Sequence, residues 1–251
     1  MAVLHDAESV ARQAHAAEGA CTRQGRAGDA RGSGVCRALG SASRWTGILG
    51  SGYLTLTTPG RHFASATLTT KEISPSTLLR ISRYDTGEPY FGRSGGNRFD
   101  DPRKRGRYGT CYFGFDLHCA FAETVLHDEV ADLELGGFPL VTTELERYVL
   151  SFTGRPLNVA VLHGVPLKNL GGDGALSTVV PYDIPQQWSA AVYRHRQHVD
   201  GFLYMSRHLN TSEALVLFDR AAPRLEPSAA VPFRDHPAAA RVLRDFNILP
   251  R

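Results

Sequence analysis

Long apolar runs are missing from this chain. No stretch approaches the ~18–20 consecutive apolar residues of a membrane-spanning helix, which excludes such a helix. The opening residues MAVLHDAESVARQ carry acids early and have no apolar centre, so they are not expected to direct secretion. Cysteine is scarce too: the four present are Cys21, Cys36, Cys111 and Cys119, and none forms a CxxC pair. Such spacing favours buried thiols over a metal centre or a disulfide, in keeping with an expected cytoplasmic location. Lysine is the third scarcity. Of 28 basic residues only Lys71, Lys104 and Lys168 are lysines, so the cationic chemistry is that of arginine. Arginine suits bidentate recognition of anions, although a GC-rich genome produces the same bias. The net charge of +3 is too small to argue for nucleic acid.

What is present is sufficient for a globular core. Of 251 residues, 42% are hydrophobic and 21% charged, which is incompatible with wholesale disorder. The chain nevertheless has two textures. Residues 11–34 contain no Ile, Leu, Val, Met, Phe, Trp or Tyr. Such a segment cannot bury enough apolar surface to offset its ordering entropy. Residues 45–70 regain apolar side chains but are broken by Gly and Pro. Residues 1–70 are therefore expected to form a poorly ordered Ala/Gly/Arg-rich extension, and residues 71–251 the folded domain.

Within that domain, residues 78–83 (LLRISR) read as a short strand and 84–109, rich in Gly, Arg and Asp, as a long loop. TCYFG, from 110 to 114, reads as a buried strand. Asp116 is a good N-cap for a helix over LHCAFAETVLHDEV, with Ala120, Phe121, Thr124 and Val125 as its packing stripe. Residues 147–152 and 157–162 are expected to form a strand pair joined at TGRP, followed by a Gly-rich connection over 163–181. A helix is expected over 185–198 with Trp188, Ala191 and Val192 on one face, then strands at 201–204 and 214–218 and a docking helix in the tail. Many short strands around a few helices indicate an α+β fold rather than alternating βαβ units.

Residues 80–123 concentrate the chemistry. They hold Arg80, Arg83, Arg93 and Arg98, with Tyr84, Tyr90, Tyr108, Tyr112 and Glu123. Guanidinium groups grip phosphate oxygens in pairs, and aromatic rings stack on planar bases. A single carboxylate beside them can hold a ribose hydroxyl and stabilise positive charge growing at an anomeric carbon. The same residue types on loops also fit an ordinary solvated surface. His195 and His198 read as a solvated helix face rather than metal ligands. The RKRGR run at 103–107 reads as a solvated loop, and direct nucleic-acid binding is not expected. Gly171, Gly172 and Gly174 form a turn without the strand and helix of a dinucleotide fingerprint.

Four pieces occur in a recognisable order: LLRISR, GNRFDDP, YGTCYFGFDLHCAFAETVLHD and YDIPQQWSAAVYRHRQHVDGFLYMSR. Together, over residues 78–219, they resemble the RES domain, a family that supplies toxins of bacterial toxin–antitoxin pairs. The resemblance implies a fold similar to ADP-ribosyltransferase toxins, with short, mostly antiparallel strands in a split sheet and flanking helices. It implies NAD+ as substrate, no resident cofactor or metal, and cleavage of the nicotinamide–ribose bond by hydrolysis or phosphorolysis. Transfer of ADP-ribose to a protein acceptor and a non-catalytic NAD-binding module are the alternatives. A cognate antitoxin is the implied partner. Carried onto this sequence, the family's arginines fall on Arg80 and Arg98, expected to clamp the pyrophosphate, with Arg98 also in the catalytic set. Its tyrosine falls on Tyr112, expected at the nicotinamide end, with Tyr108 competing for that role. Its glutamate falls on Glu123, expected to stabilise an oxocarbenium-like transition state, and its serine on Ser206, expected to give its hydroxyl to the ligand. The RKRGR insert between Arg98 and Tyr112 is a departure from the family pattern.

Overall fold

TCYFG lies in the middle of a large sheet. A computed structural model describes residues 56–103 and 106–251. In chain order the elements are β1 (Thr70–Ile73), β2 (Leu79–Ser82), β3 (Thr110–Gly114), α1 (Leu117–Thr124), β4 (Phe138–Leu140), β5 (Tyr148–Gly154) and β6 (Leu157–Val161). They continue with α2 (Gly164–Asn169), α3 (Asp183–Arg194), β7 (Gly201–Met205), β8 (Glu213–Phe218), β9 (Leu225–Pro232), α4 (Ala239–Asp245) and β10 (Ile248–Pro250). Eight strands join in the order β1-β6-β7-β8-β3-β2-β5-β9, and β4 and β10 pair separately. In the large sheet β6 and β7 run parallel and the other neighbours antiparallel. This is the expected α+β fold of short, mostly antiparallel strands with flanking helices.

Strand alternation divides the core in two. Along β3 and β8, Cys111, Phe113, Leu215 and Leu217 enter one apolar cluster with Leu150, Phe152 and Leu203. Their neighbours Tyr112, Ala214, Val216 and Phe218 face the other way, into a cluster with Phe99, Trp188, Val192 and Phe202. Successive side chains on a strand point to opposite faces, so a sheet covered on both sides needs apolar residues at nearly every position. ALVLF in β8 supplies them. Gly201 opens β7 because no side chain fits there: a Cβ would lie 2.1 Å from the Val216 carbonyl oxygen on the paired strand.

Several local expectations give way to tertiary structure. β5 and β6 do not form a hairpin. A strand has two hydrogen-bonding edges; those of β5 are taken by β2 and β9, and those of β6 by β1 and β7. The link between them is held elsewhere, with the Arg155 N–H donating to the Arg224 carbonyl at 3.1 Å. α1 stops at Thr124 instead of running on to residue 130, and α3 ends at Arg194. The 163–181 connection contains α2, and β1, β4, β9 and β10 were not anticipated.

The folded core also begins earlier than residue 71. Leu56, Phe63 and Leu68 are buried with Trp188. Phe63 meets the Trp188 ring edge-on at 5.5 Å, and the Trp188 indole N–H donates to the Thr57 carbonyl at 2.8 Å. His195, read as part of a solvated face, is buried beside Phe63, its Nε2 3.2 Å from the Ala66 carbonyl oxygen. Cys111 and Cys119 are buried free thiols, as expected; burial pushes the Cys111 thiol up to about 11. Residues 1–55, with the rest of the expected extension and Cys21 and Cys36, lie outside the described residues, as do Lys104 and Arg105. No helix among the described residues is long and apolar enough to cross a membrane.

Candidate active site

Asp116 starts the element that carries the central carboxylate. Its side chain accepts a hydrogen bond from the Cys119 N–H at 2.7 Å and so caps α1. Ala120, Phe121 and Val125 then pack against Leu140, Leu145 and Phe233. Glu123 lies in the last turn of the helix. A carboxylate there is at the negative end of the helix dipole, so its charge needs other support. β7 and the chain just beyond it provide that support. The Tyr204 hydroxyl donates to Oε2 of Glu123 at 2.8 Å and the Ser206 hydroxyl donates to Oε1 at 2.5 Å. Burial, together with the Glu123 charge, holds the Tyr204 phenol well above its ordinary pKa, so it stays a proton donor.

Glu123 lines a cavity of about 870 Å³, whose walls also include Arg80, Arg98 and Tyr112. Arg98 is buried but incompletely bonded. Its Nη1 donates to the Val179 carbonyl at 2.7 Å and its guanidinium lies 4.5 Å over the Tyr182 ring. Its Nη2 is buried without a partner. Burial lowers its pKa, and Arg207 lowers it further; a guanidinium nonetheless stays charged in a protein. Among the described residues neither Arg98 nor Arg207 is in an ion pair. A buried unpaired donor beside a second unpaired cation is an arrangement that an anion would complete.

Arg80 is differently placed. Its Nε donates to Glu88 at 3.0 Å and its Nη1 to the Tyr112 carbonyl at 3.2 Å. Burial opposes the Glu88 charge, but Arg80, the Ser82 hydroxyl and the Tyr90 N–H outweigh it and hold that carboxyl below its usual range. Two of the donors of Arg80 are therefore committed to the protein. The Tyr112 hydroxyl accepts from the Phe99 N–H at 3.0 Å, and its ring stacks on Phe99 at 6.4 Å.

Two residues expected at the ligand, Tyr108 and Ser206, are not among those that line the cavity. Tyr108 does not line the cavity. It is fully buried, its hydroxyl donates to Ser189 at 3.0 Å, and its ring stacks on Tyr193 at 4.3 Å. Ser206 is buried, its hydroxyl donates to Glu123, and its oxygen accepts from the Leu209 N–H at 2.9 Å. Ser206 thus positions the carboxylate. Tyr204, Tyr182, Arg207, His127 and His208 were missed. Of these, Tyr204 alone had a local signal, since a residue two before Ser206 on a strand shares its face. Among the described residues no group of His, Cys, Asp and Glu could hold a metal ion.

"Probable toxin y4kH" of Sinorhizobium fredii (strain NBRC 101917 / NGR234) is 34% identical over 124 residues, which span 45% of this chain and 91% of that protein. The crystal structure of the M. tuberculosis MbcT–MbcA toxin–antitoxin complex is similar over 64% of this chain and 85% of that one, with a TM-score of 0.46 and 14% identity. The model of the RES domain matches residues 77–241, a span that takes in Arg80, Arg98, Tyr112, Glu123 and Ser206, and the chain belongs to the RES domain family.

Proposed function

We propose that this protein is the toxin of a toxin–antitoxin pair and that it acts by cleaving the nicotinamide–ribose bond of NAD+. The observation that carries the reading is Glu123, whose carboxyl oxygens are held by two hydroxyl donors at the wall of a cavity that also presents an unpaired Arg98. Arg98, with Arg207 beside it, would take the pyrophosphate through charge-assisted hydrogen bonds. Tyr112 and Tyr182 offer ring faces for the planar parts of the dinucleotide. Glu123 would hold the nicotinamide ribose and stabilise positive charge on C1′ as nicotinamide leaves. Family membership and a relative named a probable toxin support the wider role and a cognate antitoxin as partner.

Incubating the purified protein with NAD+ and measuring free nicotinamide tests the reading. Release is expected without a protein acceptor. Running it with and without inorganic phosphate separates ADP-ribose from ADP-ribose 1″-phosphate as product. Release that requires a protein acceptor would instead favour ADP-ribosyl transfer, and tight NAD+ binding with no release would leave a binding module. A substitution probes the anion site directly. Arg98→Lys keeps the charge but loses the planar fork and its stacking on Tyr182. Its NAD+ affinity is expected to fall by about 1.5–3 kcal/mol, the scale of a hydrogen bond to a charged group. Titration calorimetry gives the answer, and an unchanged affinity would remove Arg98 from the site.

A further inference from the structure

The cavity holds a second group of titratable residues that the cleavage step above does not use. Ser206 is the hinge between the two. Its hydroxyl donates to Glu123 while its oxygen accepts from the Leu209 N–H, and its own N–H donates to the Ser212 carbonyl at 2.9 Å. These bonds fix the turn after β7, so Arg207 and His208 are presented at the cavity wall. From the other side α1 ends one residue after Glu123, and the chain beyond it brings His127 to the same wall. The rings of His127 and His208 lie 4.9 Å apart at 41°, and Nδ1 of His127 is 2.9 Å from the Asp128 carboxylate. Two imidazoles and the Asp128 carboxylate thus share the cavity wall with Glu123.

We infer that His208 is the general base that activates the attacking water, with His127 as the neighbour that tunes it. The inference rests on the NAD+ cleavage proposed above. In the step, the bond from C1′ to the nicotinamide nitrogen breaks and its electron pair leaves with the ring. A bond forms from the water oxygen to C1′. One proton of that water passes to a ring nitrogen of His208 and from there to solvent, so NAD+ and water give nicotinamide, ADP-ribose and a proton. Burial holds the pKa of His208 below the ordinary imidazole value. Glu123 pulls it upward, while His127, Arg207 and Arg98 push it down. A neutral imidazole at neutral pH is the form a base needs. Inorganic phosphate arrives already ionised and needs this help less.

A base works when deprotonated, so kcat/KM is lost as pH falls through the pKa of His208, giving an acid limb centred below the ordinary histidine value. The test measures nicotinamide release from about pH 5 to pH 8 for the parent, His208→Gln, His127→Gln and Glu123→Gln, with melting curves and NAD+ affinity for each. In His208→Gln, hydrolysis is expected to fall about 10²-fold, the acid limb to disappear and added imidazole to restore part of the rate. In His127→Gln the limb is expected to move to higher pH, because a group that depresses the pKa of His208 is gone. If His208→Gln hydrolyses NAD+ like the parent with the same limb, while Glu123→Gln does not, this inference fails and the proposed function stands. If Glu123→Gln also keeps the parent rate, or the parent releases no nicotinamide, both fail together. Should His208→Gln unfold, the His127→Gln profile decides, since an unmoved limb overturns the assignment.

Discussion

Replacing Glu123 with Gln is expected to cut nicotinamide release by about 10²–10³-fold, the scale on which a single transition-state stabiliser acts. NAD+ affinity and folding should change little. The ground-state ligand already carries its positive charge on the nicotinamide ring, and the carboxylate gains most as that charge moves to C1′. Gln keeps the size and one acceptor oxygen, so one of the two donors, Tyr204 or Ser206, keeps its hydrogen bond. The other meets an amide N–H₂, and the Ser206 hydroxyl can rotate to accept from it. A melting temperature within a few degrees of the parent is consistent with that exchange. In cells the variant should be expressed at the parent level and be harmless. A Gln variant that turns over NAD+ like the parent would show Glu123 to be an ordinary helix carboxylate; Asp116 does not replace it, because its side chain is occupied in capping α1.

The parts of this site that could be read from sequence are those with a local physical signature. Asp116 caps a helix by its residue type, and counting along that helix reaches Glu123. β3, β7 and β8 declare themselves as short apolar runs bounded by turn residues. Arg98 stood out through its place in a motif, but its unpaired Nη2 is a property of burial, not of sequence. Choosing between Tyr108 and Tyr112 was beyond local reasoning because the loop before β3 folds around buried acids. Asp100 accepts from the Asn97 N–H at 3.1 Å and from the Thr110 hydroxyl at 2.5 Å, while Asp101 accepts from the Arg107 N–H at 2.6 Å. These bonds order a Gly-rich stretch that reads as loose, and they deliver Tyr108 to Ser189 and Tyr193 in the core. His208 and Arg207 reach Glu123 across more than eighty positions of sequence, through the pairing of β7 with β8 and of β8 with β3. Turn chemistry likewise suggested a β5–β6 hairpin at TGRP, where the filling of sheet edges decides otherwise.

The segment before β1 provides the second large effect. Its composition reads as unable to order itself, and that holds for an isolated segment, whose few apolar residues cannot offset backbone entropy. The calculation changes when another element supplies the missing surface. α3 carries Trp188, which Phe63 meets edge-on while the Thr57 carbonyl accepts from its indole N–H. Leu68 is tied in separately, its N–H donating to the Gln197 side chain at 2.7 Å and its carbonyl accepting from the same amide at 3.1 Å. Phe63→Ala is therefore expected to lower stability by about 3–5 kcal/mol, the usual range for removing a buried phenylalanine. For a chain of this size that is a drop in melting temperature of roughly 10 °C. Phe63→Leu, which refills most of the volume, should lose much less. A tryptic core of the parent should still contain Phe63, whereas the composition of the segment alone leads to a core starting near residue 70. A melting temperature unmoved by Phe63→Ala would mean that Trp188 gains nothing from the segment, and the fold would then begin at β1.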